Sequence, residues 1–258
     1  MLAWETIDRT HAPDGAELVL ARRGTEWQVR AAGLVLMVSH AHGSEEVMSK
    51  YALERVKAPR MVLVGGLGLG FSLRATLDLV GPDAKVMIAE LVPQLVEWNR
   101  KHVGDLAGRP LDDPRTVLRV GDVFDRIAEA PAGFDAILLD VDNGPSALAH
   151  SKNNRLYSSR GVNVCAQALR PGGVLAVWSA GPDEKYVATL KRAGLKAEVK
   201  TVGNHKGAGA RHVLFLATKG GGDGGGSGSG GARQGTSGRV SGGGRASGGG
   251  RAGHGGKR

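Results

Sequence analysis

Residues 61–90 read MVLVGGLGLGFSLRATLDLVGPDAKVMIAE. An apolar run breaks into Gly65, Gly66, Gly68 and Gly70; an amphipathic stretch and a second apolar run ending on Glu90 follow. This order predicts a strand, a tight turn, a helix and a second strand. Glycines at such a turn permit positive φ and let a ligand approach the backbone without a Cβ in the way, while the helix N-terminus offers free N–H groups. Glu90 stands twenty residues after Gly70, where an acid at the tip of the next strand can accept hydrogen bonds from ribose hydroxyls. The segment predicts a nucleotide cradle built by these four glycines and Glu90; an ordinary glycine-rich βα turn is the plainer alternative. A dinucleotide fingerprint reads GxGxxG, whereas Gly66, Gly68 and Gly70 read GxGxG.

Downstream the pattern repeats. Strands are predicted at 85–90, 116–120, 134–140, 174–179, 197–202 and 212–217, and helices at 72–79, 93–102, 123–130, 157–169 and 184–193. Such alternation implies a mostly parallel sheet covered by helices on both faces. Between the last two strands, residues 203–211 leave no room for a crossover helix, so these strands should form an antiparallel hairpin. Upstream, residues 17–21, 26–31 and 34–39 alternate or run apolar with turn residues between them, a small β-meander. SEEVMSKYALERV, from Ser44, then predicts a helix that Ser44 caps, with Glu45 and Glu46 in its first turn and Val47, Met48, Tyr51, Ala52 and Val56 on an apolar face. The expected organisation is a meander over 1–43, a seven-stranded α/β domain over 44–219 and a tail over 220–258.

Composition separates that tail from the body. Of 42 glycines in 258 residues, 20 fall in the 39 positions from Gly220 to Arg258. From Lys219 to Arg258 there are seven basic residues and one acid, +6 of the +9 total, so the charge is no argument that the body binds nucleic acid. Arg233, Arg239, Arg245, Arg251 and Lys257 recur every six residues in a Gly/Ser background with no aromatic side chain. This composition cannot bury a core and predicts a disordered cationic tether. It suits weak, salt-sensitive, non-specific nucleic-acid contact without stacking, or a purely solubilising role. One cysteine, Cys165, excludes an internal disulfide and fits a reducing cytosol. The opening MLAWETIDRTHAPDG shows no signal-peptide pattern, and no run of eighteen apolar residues predicts a membrane span. The expected location is cytoplasmic.

Several acids are placed for chemistry. Asp122, in VGDVF, falls just past the third strand of the α/β run, at the carboxyl edge where open sheets bind ligands. It can accept from an adenine amino group, cap the following helix, or do both. In FDAILLDVDNGP, a buried run delivers Asp140 and Asp142 to the same edge. A carboxylate there can take a proton from an amine nucleophile and hold it in line with an electrophilic carbon; Asp142 and Asn143 are also ordinary turn residues. Glu45 and Glu46 favour a helix N-terminus by charge alone. Trp178 reads as core packing, with a cation–π contact to an amine as the second option. His42, His205 and His212 show no metal-ligand spacing, so no metal is predicted.

With these residues in place, about 17–219 resembles the spermidine synthase family of polyamine aminopropyltransferases. The resemblance is carried by the meander, the helix bearing Glu45 twenty residues before Gly65, the GxGxG turn, Glu90, GDV, the strand ending in Asp140, a Gly-Pro pair and LRPGGVLAV. It implies a class I S-adenosylmethionine methyltransferase-like fold behind an N-terminal β-subdomain, and a homodimer. It also implies aminopropyl transfer from decarboxylated S-adenosylmethionine to a small-molecule amine. On that likeness Glu90 holds the ribose, Asp122 the adenine amine and Asp140 the attacking amine, with Asp142, Glu45 and Trp178 on the substrate side. The chain departs from the family at Gly68, where the GGGDGG turn has aspartate, at Asn143 in the DxxD pattern, and at Trp178 in place of glutamine. Two other readings remain open: a methyltransferase using S-adenosylmethionine itself, and a relative that binds an adenosyl ligand without catalysis.

Overall fold

Glu90 ends its strand three positions across the sheet from the strand that ends at Trp178 and Ser179, and the topology between them creates the ligand edge. In the computed structural model, which describes residues 2–141, 145, 154–205 and 208–221, a sheet of seven strands has the order β10-β11-β9-β8-β5-β6-β7. These are β5 (Met61–Gly65), β6 (Lys85–Glu90), β7 (Thr116–Val120), β8 (Phe134–Leu139), β9 (Leu169–Ser179), β10 (Leu195–His205) and β11 (Ala208–Lys219). The chain runs outward from β5 through β6 to β7, then returns to place β8 on the other side of β5. That reversal is a topological switch point, beside which open α/β sheets take their ligands. Strands β5 to β9 pair in parallel, and β11 pairs antiparallel with both β9 and β10. The terminal hairpin is antiparallel as the sequence predicts, but its strands run further than expected, to His205 and from Ala208, through most of the 203–211 stretch.

Successive residues of a strand point to opposite faces, and β5 shows what this does here. Val62 and Val64 pack in one core with Met48 and Ala52 of α1 (Gly43–Leu53) and Leu73 and Leu77 of α2 (Phe71–Leu79). Leu63 faces the second core, with Ile127 of α4 (Val123–Ala128), Val162 and Cys165 of α6 (Ser159–Ala168), and Leu190 of α7 (Glu184–Arg192). Burial pushes the Cys165 thiol up to about 12, which leaves it an inert packing group.

The N-terminal sheet has four strands in the order β1-β2-β3-β4: β1 (Glu5–His11), β2 (Glu17–Arg23), β3 (Glu26–Ala31) and β4 (Leu34–Val38). The sequence predicts three; β1, ETIDRTH, carries one large apolar residue, and its order comes from pairing with β2. Asp8 of β1 accepts from Trp98 Nε1 at 2.7 Å and from Gln94 Nε2 at 2.6 Å, both on α3 (Pro93–Trp98). Together with a core of Leu18, Leu20, Val29, Leu69, Leu95 and Trp98, these bonds hold the small sheet against the glycine turn.

Three local expectations are corrected. Helix α1 begins at Gly43 with His42 at its N-cap and no side-chain cap bond; Ser44 instead donates to Glu45 Oε2 at 2.6 Å. The helix expected over 157–169 is α6, which starts only at Ser159 because Ser158 caps it by accepting from Gly161 N–H at 3.1 Å, and a separate short helix, α5 (Asn154–Tyr157), precedes it. The helix expected over 93–102 is α only to Trp98 and continues as a π-helical turn, Asn99–Val103. No helix among the described residues is long and apolar enough to cross a membrane.

Candidate active site

Four strand ends converge around the turn after β5. Backbone bonds tie them together: Gly66 N–H to Ala89 O at 2.9 Å, Gly121 N–H to Glu90 O at 2.8 Å, and Asp140 N–H to Gly65 O at 3.0 Å. Gly66 has φ +89°, and a Cβ there would overlap the Asp140 carbonyl oxygen. Only glycine satisfies both conditions.

Glu90 is 4% exposed. Its Oε2 accepts from Leu67 N–H at 2.8 Å and its Oε1 from Val92 N–H at 2.7 Å, so the acid braces the glycine turn from below. Burial holds its carboxyl above the usual range, against the pull of N–H groups of Val92, Leu67, Leu91 and Gly68. Asp122 caps α4 through Phe124 N–H at 2.8 Å and also meets Arg155 at 2.5 Å. Both acids, with Gly66, Gly68, Gly121 and Asp140, line a cavity of about 190 Å³. Its apolar wall comes from Leu91, Val92, Leu95 and Val123 and from Leu18, Leu36 and Met37 of the N-terminal sheet. A mostly apolar concavity with a few convergent polar groups suits a flat heterocycle on a sugar.

A second cavity, about 130 Å³, is lined by Glu45, Phe71, Ser72, Trp178 and Val38. The two share Leu36, Met37, Gly68, Asp140 and Val141, so Asp140 stands where they meet. Its Oδ2 accepts from Ser72 Oγ at 2.6 Å. Burial, with Glu46 nearby, pushes the Glu45 carboxyl up, and the Ser44 hydroxyl opposes the rise. The Trp178 ring lies 4.5 Å from that of His212, tilted by 34°.

Of the residues singled out in the sequence, Glu90, Asp122, Gly66, Gly68, Asp140, Glu45 and Trp178 gather at this pair of cavities. Gly65 and Gly70 support them from behind: Gly65 packs on Val123, Val141 and Leu139, and Gly70 precedes α2 beside Asn99 and Pro110. Asp142 lies outside the described residues. The sequence reading missed Ser72, and it missed Leu36 and Met37, which reach the site from β4. Among the described residues no group of His, Cys, Asp or Glu is arranged to hold a metal ion.

A seven-stranded sheet closing on an antiparallel hairpin, with a glycine turn and acids at its carboxyl edge, places the chain in the class I methyltransferase-like class of α/β folds. Within that class, the family model described as the spermine/spermidine synthase domain matches residues 41–194. The chain belongs to the spermine/spermidine synthase family. It is 29% identical over 188 residues to a polyamine aminopropyltransferase of Mycobacterium tuberculosis, covering 69% of this chain and 35% of that one. To polyamine aminopropyltransferase 2 of Pseudomonas aeruginosa it is 32% identical over 154 residues, 57% of this chain and 42% of that one. The chain thus spans well under half the length of these relatives. Among solved structures, a spermidine synthase in complex with the transition-state analogue AdoDATO superposes with TM-score 0.69 at 18% identity, covering 83% of this chain and 74% of that one. The Thermotoga maritima spermidine synthase gives 0.68 at 18% identity, over 83% and 73%.

Proposed function

We propose that this chain transfers an aminopropyl group from decarboxylated S-adenosylmethionine to an amine, the reaction type of polyamine biosynthesis. The observation that carries the reading is Asp140 at the junction of two cavities, one suited to an adenosyl group and the other acidic. Glu90 is the acceptor for the ribose and Asp122 for the adenine amine. The amine nucleophile occupies the smaller cavity against Glu45 and Trp178, where a carboxylate and an aromatic face both favour a cation. Its nitrogen attacks the carbon next to the sulfonium sulfur; the C–N bond forms, the C–S bond breaks, and the electron pair stays on sulfur as a neutral thioether. Asp140 takes the amine proton.

The choice of donor rests on charge. Five carboxylate residues line the two cavities, Asp14, Glu45, Glu90, Asp122 and Asp140, and no described lining residue is Lys or Arg. Such a wall, in which Asp122 is the acid paired with Arg155, favours a donor that is cationic throughout, and its described lining residues offer no cationic side chain to a methionine carboxylate. The competing reading, methyl transfer from intact S-adenosylmethionine, draws on Gly68, where the family's turn has an aspartate and a Cβ would instead stand 3.3 Å from Met37 Sδ. Calorimetric titration separates them: the decarboxylated donor should bind at least about tenfold more tightly. Equal or reversed affinities favour the methyltransferase.

Glu45 gives this site a pH dependence. A cationic amine needs the carboxylate ionised, and burial has raised its pKa. The KM for the amine should therefore climb as pH falls, starting at a higher pH than an exposed glutamate would produce. Glu45→Gln should remove that limb and raise the amine KM about tenfold at neutral pH. A parallel pH profile in wild type and variant assigns the limb to another group.

Two partner readings accompany this function. A homodimer suits the apolar outer strand β4, where Leu34 is 76% and Val35 57% exposed; sedimentation as a monomer at micromolar concentration removes it. The basic tail, whose residues 222–258 lie outside the described ones, suits non-specific nucleic-acid contact because its cations are evenly spaced on a Gly/Ser chain. Truncation after Lys219 should abolish retention on DNA or RNA at low salt, and unchanged retention would exclude the tail.

A further inference from the structure

Three buried hydroxyls lie along the contact between α1 and α2: Ser49, Thr76 and Ser72, each at most 3% exposed. A hydroxyl inside a helix usually bonds the carbonyl four residues back. Thr76 does so, to Ser72 O at 2.8 Å, and Ser49 does so, to Glu45 O at 3.1 Å. Ser49 also reaches Ser72 O at 3.4 Å and Thr76 Oγ1 at 3.3 Å, which pins the first turn of α2 against α1. Ser72 behaves differently. It stands in that first turn, and the carbonyl four residues before it, Gly68 O, accepts from Asn99 Nδ2 at 2.8 Å. Gly68 lies before the helix, and its carbonyl has a partner of its own in Asn99, which is 2% exposed and bonded to Leu95 O at 2.9 Å. The Ser72 hydroxyl instead crosses to Asp140 Oδ2 at 2.6 Å, within the range of a charge-assisted O–H···O⁻ bond.

From this geometry we propose that Ser72 is a positioning residue for the transfer: it fixes the rotation of the Asp140 carboxylate at the junction of the two cavities and favours its ionised, proton-accepting form. The inference rests on the aminopropyltransferase reading. The contact with α1 accounts for a small buried residue at this place; the bond to Asp140 is what that packing does not require. Thr76, one turn further along α2, spends its hydroxyl on the Ser72 carbonyl of its own helix, whereas the Ser72 hydroxyl leaves its helix for Asp140.

The test is a double-mutant cycle on the full chain, following thioether release with saturating amine. Ser72→Ala should lower kcat about tenfold, part of the 10²–10⁴-fold that a general base supplies, with the donor KM within about twofold because Glu90 and Asp122 are untouched. Added to Asp140→Asn, the same substitution should cost less than about twofold, since its effect passes through the missing carboxylate. An unchanged kcat in Ser72→Ala, or an equal loss in both backgrounds, overturns the proposal while leaving the aminopropyltransferase reading intact. If Asp140→Asn alone has no effect, the role of Asp140 fails and that of Ser72 with it; a wild-type chain without turnover ends both.

Discussion

Replacing Asp140 by asparagine should lower the rate of amine alkylation about 10²–10⁴-fold. Asparagine has nearly the same shape, its side-chain oxygen can still accept from Ser72 Oγ, and the backbone bond from Asp140 N–H to Gly65 O does not involve the side chain. What it cannot do is take a proton. A protonated amine has no lone pair to offer, so the step stalls while donor binding, which we assign to Glu90 and Asp122, should change by less than about threefold in KM. Single-turnover measurement of thioether formation reads this directly. An undiminished rate would move the base elsewhere or describe a chain that binds an adenosyl ligand without this chemistry.

Glu90→Gln should have the largest effect on donor affinity and a measurable effect on stability. The two carboxylate oxygens accept from Leu67 N–H and Val92 N–H on opposite sides, and a glutamine can present an oxygen to only one. Its amide nitrogen then faces a buried N–H, which leaves that donor without a partner at a cost of about 1–3 kcal/mol. Thermal unfolding should show the loss. The same change removes the charged acceptor we propose for the ribose hydroxyls and loosens the turn at Leu67 and Gly68, so donor affinity should fall roughly tenfold to a hundredfold. A variant that keeps wild-type melting and wild-type donor affinity would contradict the placing of Glu90 beneath the turn.

What the sequence made legible was local. The glycine turn, the acid at the end of β6, Asp122 and Asp140 are each specified within a strand–turn–helix unit, where glycine, periodicity and caps act over a few residues. The terminal hairpin was legible because a short link excludes a crossover helix. The features missed depend on pairings between distant segments. Strand β1 has little strand character of its own and is ordered by β2 and by the bonds from Asp8 to α3. Leu36 and Met37 read as one side of a meander; nothing near them indicates that β4 covers a site at the edge of another sheet. Ser72 meets Asp140 across 68 positions, and Ser44 is a good cap in isolation but turns to Glu45 instead. The short helix α5, ahead of the cap at Ser158, is likewise absent from the sequence expectation.

Asp140 stands between the two cavities, and product analysis tests most directly the proposal that one takes the adenosyl donor and the other the amine. The purified chain of residues 1–258, given decarboxylated S-adenosylmethionine and a panel of polyamines, should release methylthioadenosine only when an amine is present, in equal amount to the alkylated amine. No methylthioadenosine with any amine, or release that does not depend on the amine, would contradict it.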